Sequence, residues 1–76
     1  MDMELSALIA RAREAGLLDS AGNPIDERTI DLAEQGDASV QYELGQGYQY
    51  GRGVEKDPVQ AVAWYRKAAD ILLHIS

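Results

Sequence analysis

A chain of 76 residues with 46% hydrophobic residues forms one small domain, and the absence of cysteine excludes disulfides and thiolate metal sites. No run approaches the roughly 20 apolar residues that a membrane span needs, and the acidic N-terminus lacks the basic region of a signal peptide, so a cytoplasmic protein is expected. The net charge is −6, and its whole excess lies in residues 1–37. This argues against nucleic-acid binding, which needs basic side chains, and leaves open a partner with a basic surface.

The first two helices are predicted from apolar periodicity and from capping residues. The first carries apolar residues at helical spacing, namely Leu5, Leu8, Ile9, Ala12 and Ala15. Gly16 is placed to end it in the left-handed conformation. Asn23 followed by Pro24 predicts the start of the second helix, with Asn23 as N-cap and Pro24 as the first helical residue. This helix is expected to run to about Gln35 and to stop at Gly36.

The third helix is predicted over residues 38–50, because Asp37 is a suitable N-cap and a glycine follows Tyr50. One face of this helix carries Gln41, Leu44, Gly45 and Tyr48. Tyr42 and Tyr50 lie on a different face, where exposed rings make good contact residues.

The fourth helix is predicted to begin at Pro58, with Asp57 as N-cap and Gln60 completing a capping box. Its broad apolar face consists of Ala61, Trp64, Tyr65, Ala68, Ala69 and Leu72. The signature "NPI" at 23–25 recurs as "DPV" at 57–59, and "LAEQ" at 32–35 aligns with "AADI" at 68–71. A period of about 34 to 36 residues with two helices per unit is typical of a helical solenoid.

From Asp37 onward the chain resembles a Sel-one-like repeat, a relative of the tetratricopeptide repeat. The residues that carry the resemblance are Gln41, Leu44, Gly45, Tyr48, Gly51, Gly53, Val54, Asp57, Ala61, Trp64, Tyr65, Ala68 and Ala69. Val40 replaces the alanine of the family pattern. In the first half, Arg28 and Thr29 stand where the pattern has tryptophan and tyrosine, so this half is interpreted as a degenerate or capping repeat.

The fold class expected from this resemblance is all-α, with two antiparallel helix pairs of an α-solenoid. We predict a single domain over 1–76, made of a degenerate or capping helix pair at 1–36 and a Sel-one-like repeat at 37–70. An apolar C-terminal tail follows at 71–76, because the chain reads "DILLHIS" where "EQGDA" would open another repeat.

The glycine-rich stretch "LGQGYQYGRGVEKDP" admits two interpretations, a phosphate-binding loop or a helix end and turn. A P-loop needs Gly-Lys-Ser/Thr, and a dinucleotide fingerprint needs G-x-G-x-x-G after a strand; neither occurs. The second interpretation gives Gly45 close helix approach, covered by Trp64 or Tyr65, and gives Gly51 and Gly53 the turn. Gly47 has no assigned role; it either weakens the helix or marks the close approach of a partner.

The resemblance implies a non-enzymatic adaptor or scaffold module that binds other proteins in assembly or signalling complexes, many of them bacterial. No catalytic constellation, cofactor site or metal site is expected, since His74 is the only histidine. The recognition surface is predicted at Tyr42, Gln46, Gln49 and Tyr50.

Two further hypotheses concern charge and association. Glu27, Asp31 and Glu34 form a stripe at i, i+4 and i+7, either a plain solvated face or a dock for a basic partner. The alternative function is therefore a small acidic inhibitor, or immunity-type protein, of a nucleic-acid-processing or toxin protein. Self-association as a dimer, through the tail or by exchange of helices, is predicted at Ile71, Leu72, Leu73 and Ile75.

Overall fold

The computed structural model describes residues 3–74, which form four helices. They are α1 (Met3–Ala15), α2 (Glu27–Glu34), α3 (Ala38–Tyr50) and α4 (Pro58–Leu73). A single isolated bridge joins Leu18 to Pro24 in the loop between α1 and α2, and residues 3–74 contain no strand. The all-α prediction is confirmed, whereas the superhelical stacking of a solenoid stays a prediction.

The second helix begins three residues later than the sequence predicted. Its N-cap is Asp26, whose side chain accepts a hydrogen bond from the Thr29 backbone N–H at 2.8 Å. Asn23 and Pro24 instead belong to the loop, where Pro24 bridges to Leu18. The prediction at Asn23 was wrong because pairing within the loop keeps this segment extended. The hydrogen bonds from Thr29 lower the pKa of Asp26 below its ordinary value.

Helix α3 has the predicted bounds. Asp37 accepts a hydrogen bond from the Val40 N–H at 3.2 Å, and Gly51 ends the helix with a φ of 68°. A left-handed residue at this position is readily adopted by glycine, which has no Cβ to clash with the neighbouring carbonyl.

Helix α4 begins as predicted but lacks one half of the predicted capping box. Asp57 accepts from the backbone N–H groups of Val59 and Gln60, both at 3.1 Å. The reciprocal bond from Asp57 to the Gln60 side chain is absent, because the Asp57 N–H donates to the Tyr48 carbonyl at 2.9 Å. The Gln60 Oε1 atom is buried without a hydrogen-bond partner. At its other end α4 continues through Leu73, so the first residues of the predicted tail are helical.

The core lies between all four helices and the loop after α1. Its buried hydrophobic side chains are Leu8, Ile9, Ala12, Leu17, Ile30, Ala33, Val40, Leu44, Tyr48, Ala61, Trp64 and Ala68. Trp64 and Leu44 are fully buried, as their places in the repeat pattern predicted. Burying side chains of this size contributes roughly 1.5–3 kcal/mol each before entropy is subtracted.

Polar contacts join the two helix pairs. Gln41 on α3 is buried, and its side-chain amide donates to the Ala33 carbonyl at the end of α2 at 2.8 Å. Lys67 on α4 forms an ion pair with Glu4 on α1 at 3.4 Å. Because the hydrogen bond between Gln41 and Ala33 is buried, it holds α3 on α2 more firmly than the solvent-screened ion pair holds α4 on α1.

Candidate functional site

Three backbone amides of the glycine loop, those of Gly51, Arg52 and Asp57, donate hydrogen bonds within the chain. The Arg52 N–H donates to the Gly47 carbonyl at 2.9 Å, and the Asp57 N–H donates to the Tyr48 carbonyl. At the start of α4, the carboxylate of Asp57 already accepts from the first helical amides. An anion on this loop would therefore compete with a negatively charged side chain, which favours the turn interpretation over the phosphate loop.

Gly45 lies at a point of close approach between α3 and α4. A Cβ at this position would lie 2.6 Å from Cε1 of Tyr65 and 3.2 Å from the Ala61 carbonyl oxygen. Of the two residues expected to cover Gly45, the ring is that of Tyr65. Only a residue without a side chain lets the two helices pack at this distance.

Gly47 has a role that the sequence did not reveal. It is buried, and a Cβ there would lie 2.9 Å from Cδ2 of Leu17, a core residue of the loop after α1. Gly47 thus accommodates a side chain of the same molecule rather than a partner. Leu17 lies thirty residues away in sequence, so no local pattern could have identified this contact.

Four residues of α3 form a continuous solvent-facing surface, which we call the α3 surface: Tyr42, Gln46, Gln49 and Tyr50. Tyr42 is 51% exposed and Tyr50 is 55% exposed, in contrast to the buried Tyr48. The Cα atoms of the two exposed tyrosines are eight residues and about 12 Å apart along the helix. The structure therefore brings together the residues predicted as a recognition surface, with an aromatic ring at each end and amides between them.

Tyr65 on α4 and Arg52 in the glycine loop contact the side chains of the α3 surface. The Tyr65 hydroxyl donates a hydrogen bond to the Gln49 side-chain oxygen, and the Tyr65 ring lies 5.1 Å from that of Tyr42 at an interplanar angle of 38°. Partial burial, followed by the nearby Tyr42 and Tyr50, raises the pKa of Tyr65. The hydroxyl thus keeps its proton near neutral pH and remains a donor. At the other end, the guanidinium carbon of Arg52 lies 5.3 Å from the Tyr50 ring centroid.

An apolar groove of about 400 Å³ lies between the start of α3 and the end of α4. This terminal groove is lined by Ala38, Ser39, Tyr42, Tyr65, Ala68, Ala69 and Leu72. The groove was not predicted, because the repeat pattern assigns Tyr65, Ala68 and Ala69 to packing between α3 and α4. Leu72, which lines the groove, is 64% exposed, and the neighbouring Leu73 is 75% exposed. Ile71 is half-buried, and Ile75 lies outside the described residues.

The predicted acidic stripe is partly paired within the chain. Arg13 on α1 contacts the Asp31 carboxylate at 2.6 Å and the Glu34 carboxylate at 3.7 Å. The hydrogen bond that Arg13 donates to the Asp31 carboxylate raises the pKa of Arg13, so the guanidinium stays charged. Glu27 is exposed in the first turn of α2. Part of the negative charge expected to attract a basic partner is thus balanced by α1.

Metal binding and membrane insertion find little support in the described part of the chain. Residues 3–74 contain no cluster of three or more His, Asp or Glu side chains that would hold a metal ion. His74 is exposed at the C-cap of α4. Within the same range, each helix is too short or too polar to cross a membrane.

Comparison with known proteins identifies the segment that carries the α3 surface. Residues 38–70, which span α3, the glycine loop and most of α4, match the family model of the Sel1 repeat. Neither the curated proteins nor the solved structures compared with the chain gave a match. Sel1 repeats generally mediate protein–protein interactions and are typically non-catalytic, so the match implies a protein partner.

Proposed function

We propose that the α3 surface of this chain, whose residues 38–70 match the Sel1 repeat, binds an extended segment of a partner protein, so that the molecule acts as a non-enzymatic adaptor. The observation that carries the proposal is the pair of half-exposed rings, Tyr42 and Tyr50, on one face of α3. Rigid aromatic rings lose little conformational entropy on binding and are enriched in the energetic centres of protein interfaces.

The spacing of the α3 surface suits a short extended peptide. Tyr42 and Tyr50 lie about 12 Å apart along the helix, and four residues of extended chain span about 13 Å. Gln46 and Gln49 lie between the rings, where their side-chain amides can pair with the N–H and C=O groups of such a segment. Because Tyr65 orients the Gln49 oxygen, the amide nitrogen of Gln49 is directed to donate.

The chemistry of the α3 surface favours a partner segment that is apolar and hydrogen-bonding rather than strongly charged. Its four side chains are uncharged, and residues 38–76 as a whole carry four acidic and four basic residues. Arg52, stacked near Tyr50, adds one positive charge at the far end. A partner carboxylate at that end would be accommodated better than a partner amine.

The proposal is tested by capturing partner proteins from lysates of cells that naturally produce this protein. The immobilised wild type is compared with two matched variants. The test variant is Gln46→Ala with Tyr50→Ala, which truncates the α3 surface without altering the buried core. The control is Val59→Ala, at an exposed position on α4. Circular dichroism of all three proteins verifies that they fold alike.

We expect proteins that the wild type and the Val59→Ala control retain and that the α3-surface variant loses. Retention of the same proteins at equal yield by all three would overturn the proposal. So would the absence of any protein retained above an empty support.

The alternative of an acidic inhibitor receives less support, because Arg13 engages both Asp31 and Glu34. It predicts that partner binding weakens steeply with added salt and with Lys substitution of Glu27, Asp31 and Glu34. The α3-surface proposal predicts that binding of the captured protein changes little in either test.

A further inference from the structure

We propose that the terminal groove binds a second copy of this chain, with the two α4 helices crossing antiparallel about a two-fold axis. The groove is a different surface from most of the α3 surface, and only Tyr42 belongs to both. The proposal therefore goes beyond partner recognition, since it makes the molecule a symmetric, bivalent one.

The last turns of α4 are complementary to themselves. Ala68 and Ala69 line the groove with small side chains, and one turn later Leu72 and Leu73 project large apolar side chains into solvent. If a two-fold axis passes between Asp70 and Ile71, each residue of α4 lies opposite the residue of the second copy that is equally far from the axis on its other side. Leu72 then faces Ala69 of the second copy, which is exposed. Small residues opposite large ones allow two helices to approach closely and interdigitate.

Charge favours a second copy at this end of the molecule. The groove is lined by uncharged side chains, whereas Lys67 and Asp70 line a separate hollow with Ile71. The acidic excess lies in residues 1–37, and residues 38–76 are balanced. A contact through α4 thus joins the neutral halves of two molecules and keeps their acidic halves apart, which limits repulsion between chains of like net charge.

The two ends of the molecule differ, which favours symmetric over head-to-tail association. The end of α2 is covered by α3, since Ala33 is fully buried below the Gln41 amide. The end of α4 is uncovered, and Ala69 is exposed. At the opposite end, exposed positions of α1 include the polar or charged residues Glu4, Ser6, Arg11 and Glu14. An apolar groove matches its own symmetry mate better than it matches this face.

Mass measurement tests the association. Because two helical turns bury a small interface, the dimer should be of the weak class and its population should rise with concentration. Sedimentation equilibrium from low micromolar to near-millimolar concentration should show the mass rising from 8.3 kDa toward twice that value. Leu72→Glu should keep the mass at that of one chain, while the control Val59→Glu, on the same helix but outside the groove, should behave as wild type. One chain mass at every concentration, or an unchanged dimer in Leu72→Glu, overturns the proposal.

Disulfide trapping tests which residues of the two α4 helices lie opposite each other. Because the chain has no cysteine of its own, only the introduced cysteines can form a disulfide. A mixture of the Leu72→Cys and Ala69→Cys proteins should form the mixed disulfide at least several-fold faster than either protein alone forms its own. Cysteines join only when their Cα atoms lie within about 7 Å. A mixture of Val59→Cys with Ala69→Cys serves as the matched control. Equal rates in the two mixtures would show random collision and would refute the crossing.

Discussion

Replacing Gly45 by alanine should destabilise the protein, although alanine is the better helix former. The added Cβ would lie 2.6 Å from Cε1 and 2.7 Å from Cδ1 of Tyr65. Carbon atoms in contact prefer separations of about 3.5–4.0 Å, so the new methyl group is about 1 Å too close to the ring. The ring cannot move away freely, because its hydroxyl is bonded to Gln49 and its face packs near Tyr42.

The expected magnitude follows from two opposing effects. Forcing a methyl group into a packed contact costs about 1–3 kcal/mol, and replacing glycine by alanine inside a helix contributes about 1 kcal/mol in the other direction. Because the contact with Cε1 of Tyr65 would be about 1 Å too short, the cost is expected in the upper half of that range, about 2–3 kcal/mol. The net loss of unfolding free energy for Gly45→Ala is therefore about 1–2 kcal/mol. In a domain of this size each kcal/mol lowers the midpoint temperature by roughly 4–8 °C.

A double-mutant cycle with Tyr65→Ala separates the clash from general damage. Urea unfolding is followed by the fluorescence of Trp64, the only tryptophan and a fully buried one. In the Tyr65→Ala background the ring is gone and only the Ala61 carbonyl oxygen, at 3.2 Å, remains close. Gly45→Ala should there be neutral or slightly stabilising. An equal loss in both backgrounds, or no loss in the wild type, would refute the role assigned to Gly45.

Two further predictions concern the joint between the helix pairs and the start of α2. Gln41→Met keeps the buried volume but removes the hydrogen bond to the Ala33 carbonyl, so the unfolding free energy should fall by about 1 kcal/mol. The exposed control Gln35→Met should change the unfolding free energy by less than about 0.5 kcal/mol. Equal effects of the two substitutions would contradict the claim that this hydrogen bond stabilises the packing of α3 on α2. Because the pKa of Asp26 is lowered in the folded state, its contribution is present above the unfolded pKa of about 4 and is lost as pH falls through the folded value. Acid unfolding of Asp26→Asn should therefore show a shallower loss of stability below about pH 4 than the wild type shows, and an identical slope would be inconsistent with this linkage.

The sequence predicted best where local chemistry decides the structure. Asp37 and Gly51 set the two ends of α3, and the Asp57–Pro58 pair sets the start of α4, through contacts within a few residues; these three boundaries were located correctly. Asn23–Pro24 has equally good local chemistry, yet α2 begins after Asp26. There the loop pairs with itself, and that pairing overrides the capping preference.

Features that depend on packing between distant segments were not predictable in the same way. The contact of Gly47 with Leu17 and the ion pairs of Arg13 with α2 require knowledge of how α1 and its loop fold back. The terminal groove was missed for a related reason, since the repeat pattern identifies which residues pack but not which packing surface remains uncovered. The exposed tyrosines were found because Tyr42 and Tyr50 depart from the helical face of Leu44 and Tyr48.

Amide chemical-shift mapping during titration with a captured partner tests the central claim most directly. If the α3 surface recognises protein, the changes should concentrate on Tyr42, Gln46, Gln49 and Tyr50, and inorganic phosphate or ATP should leave Gly51–Asp57 unchanged. Partner-induced shifts confined to α2 and its acidic side chains, or saturable phosphate-induced shifts in the glycine loop, would contradict the claim.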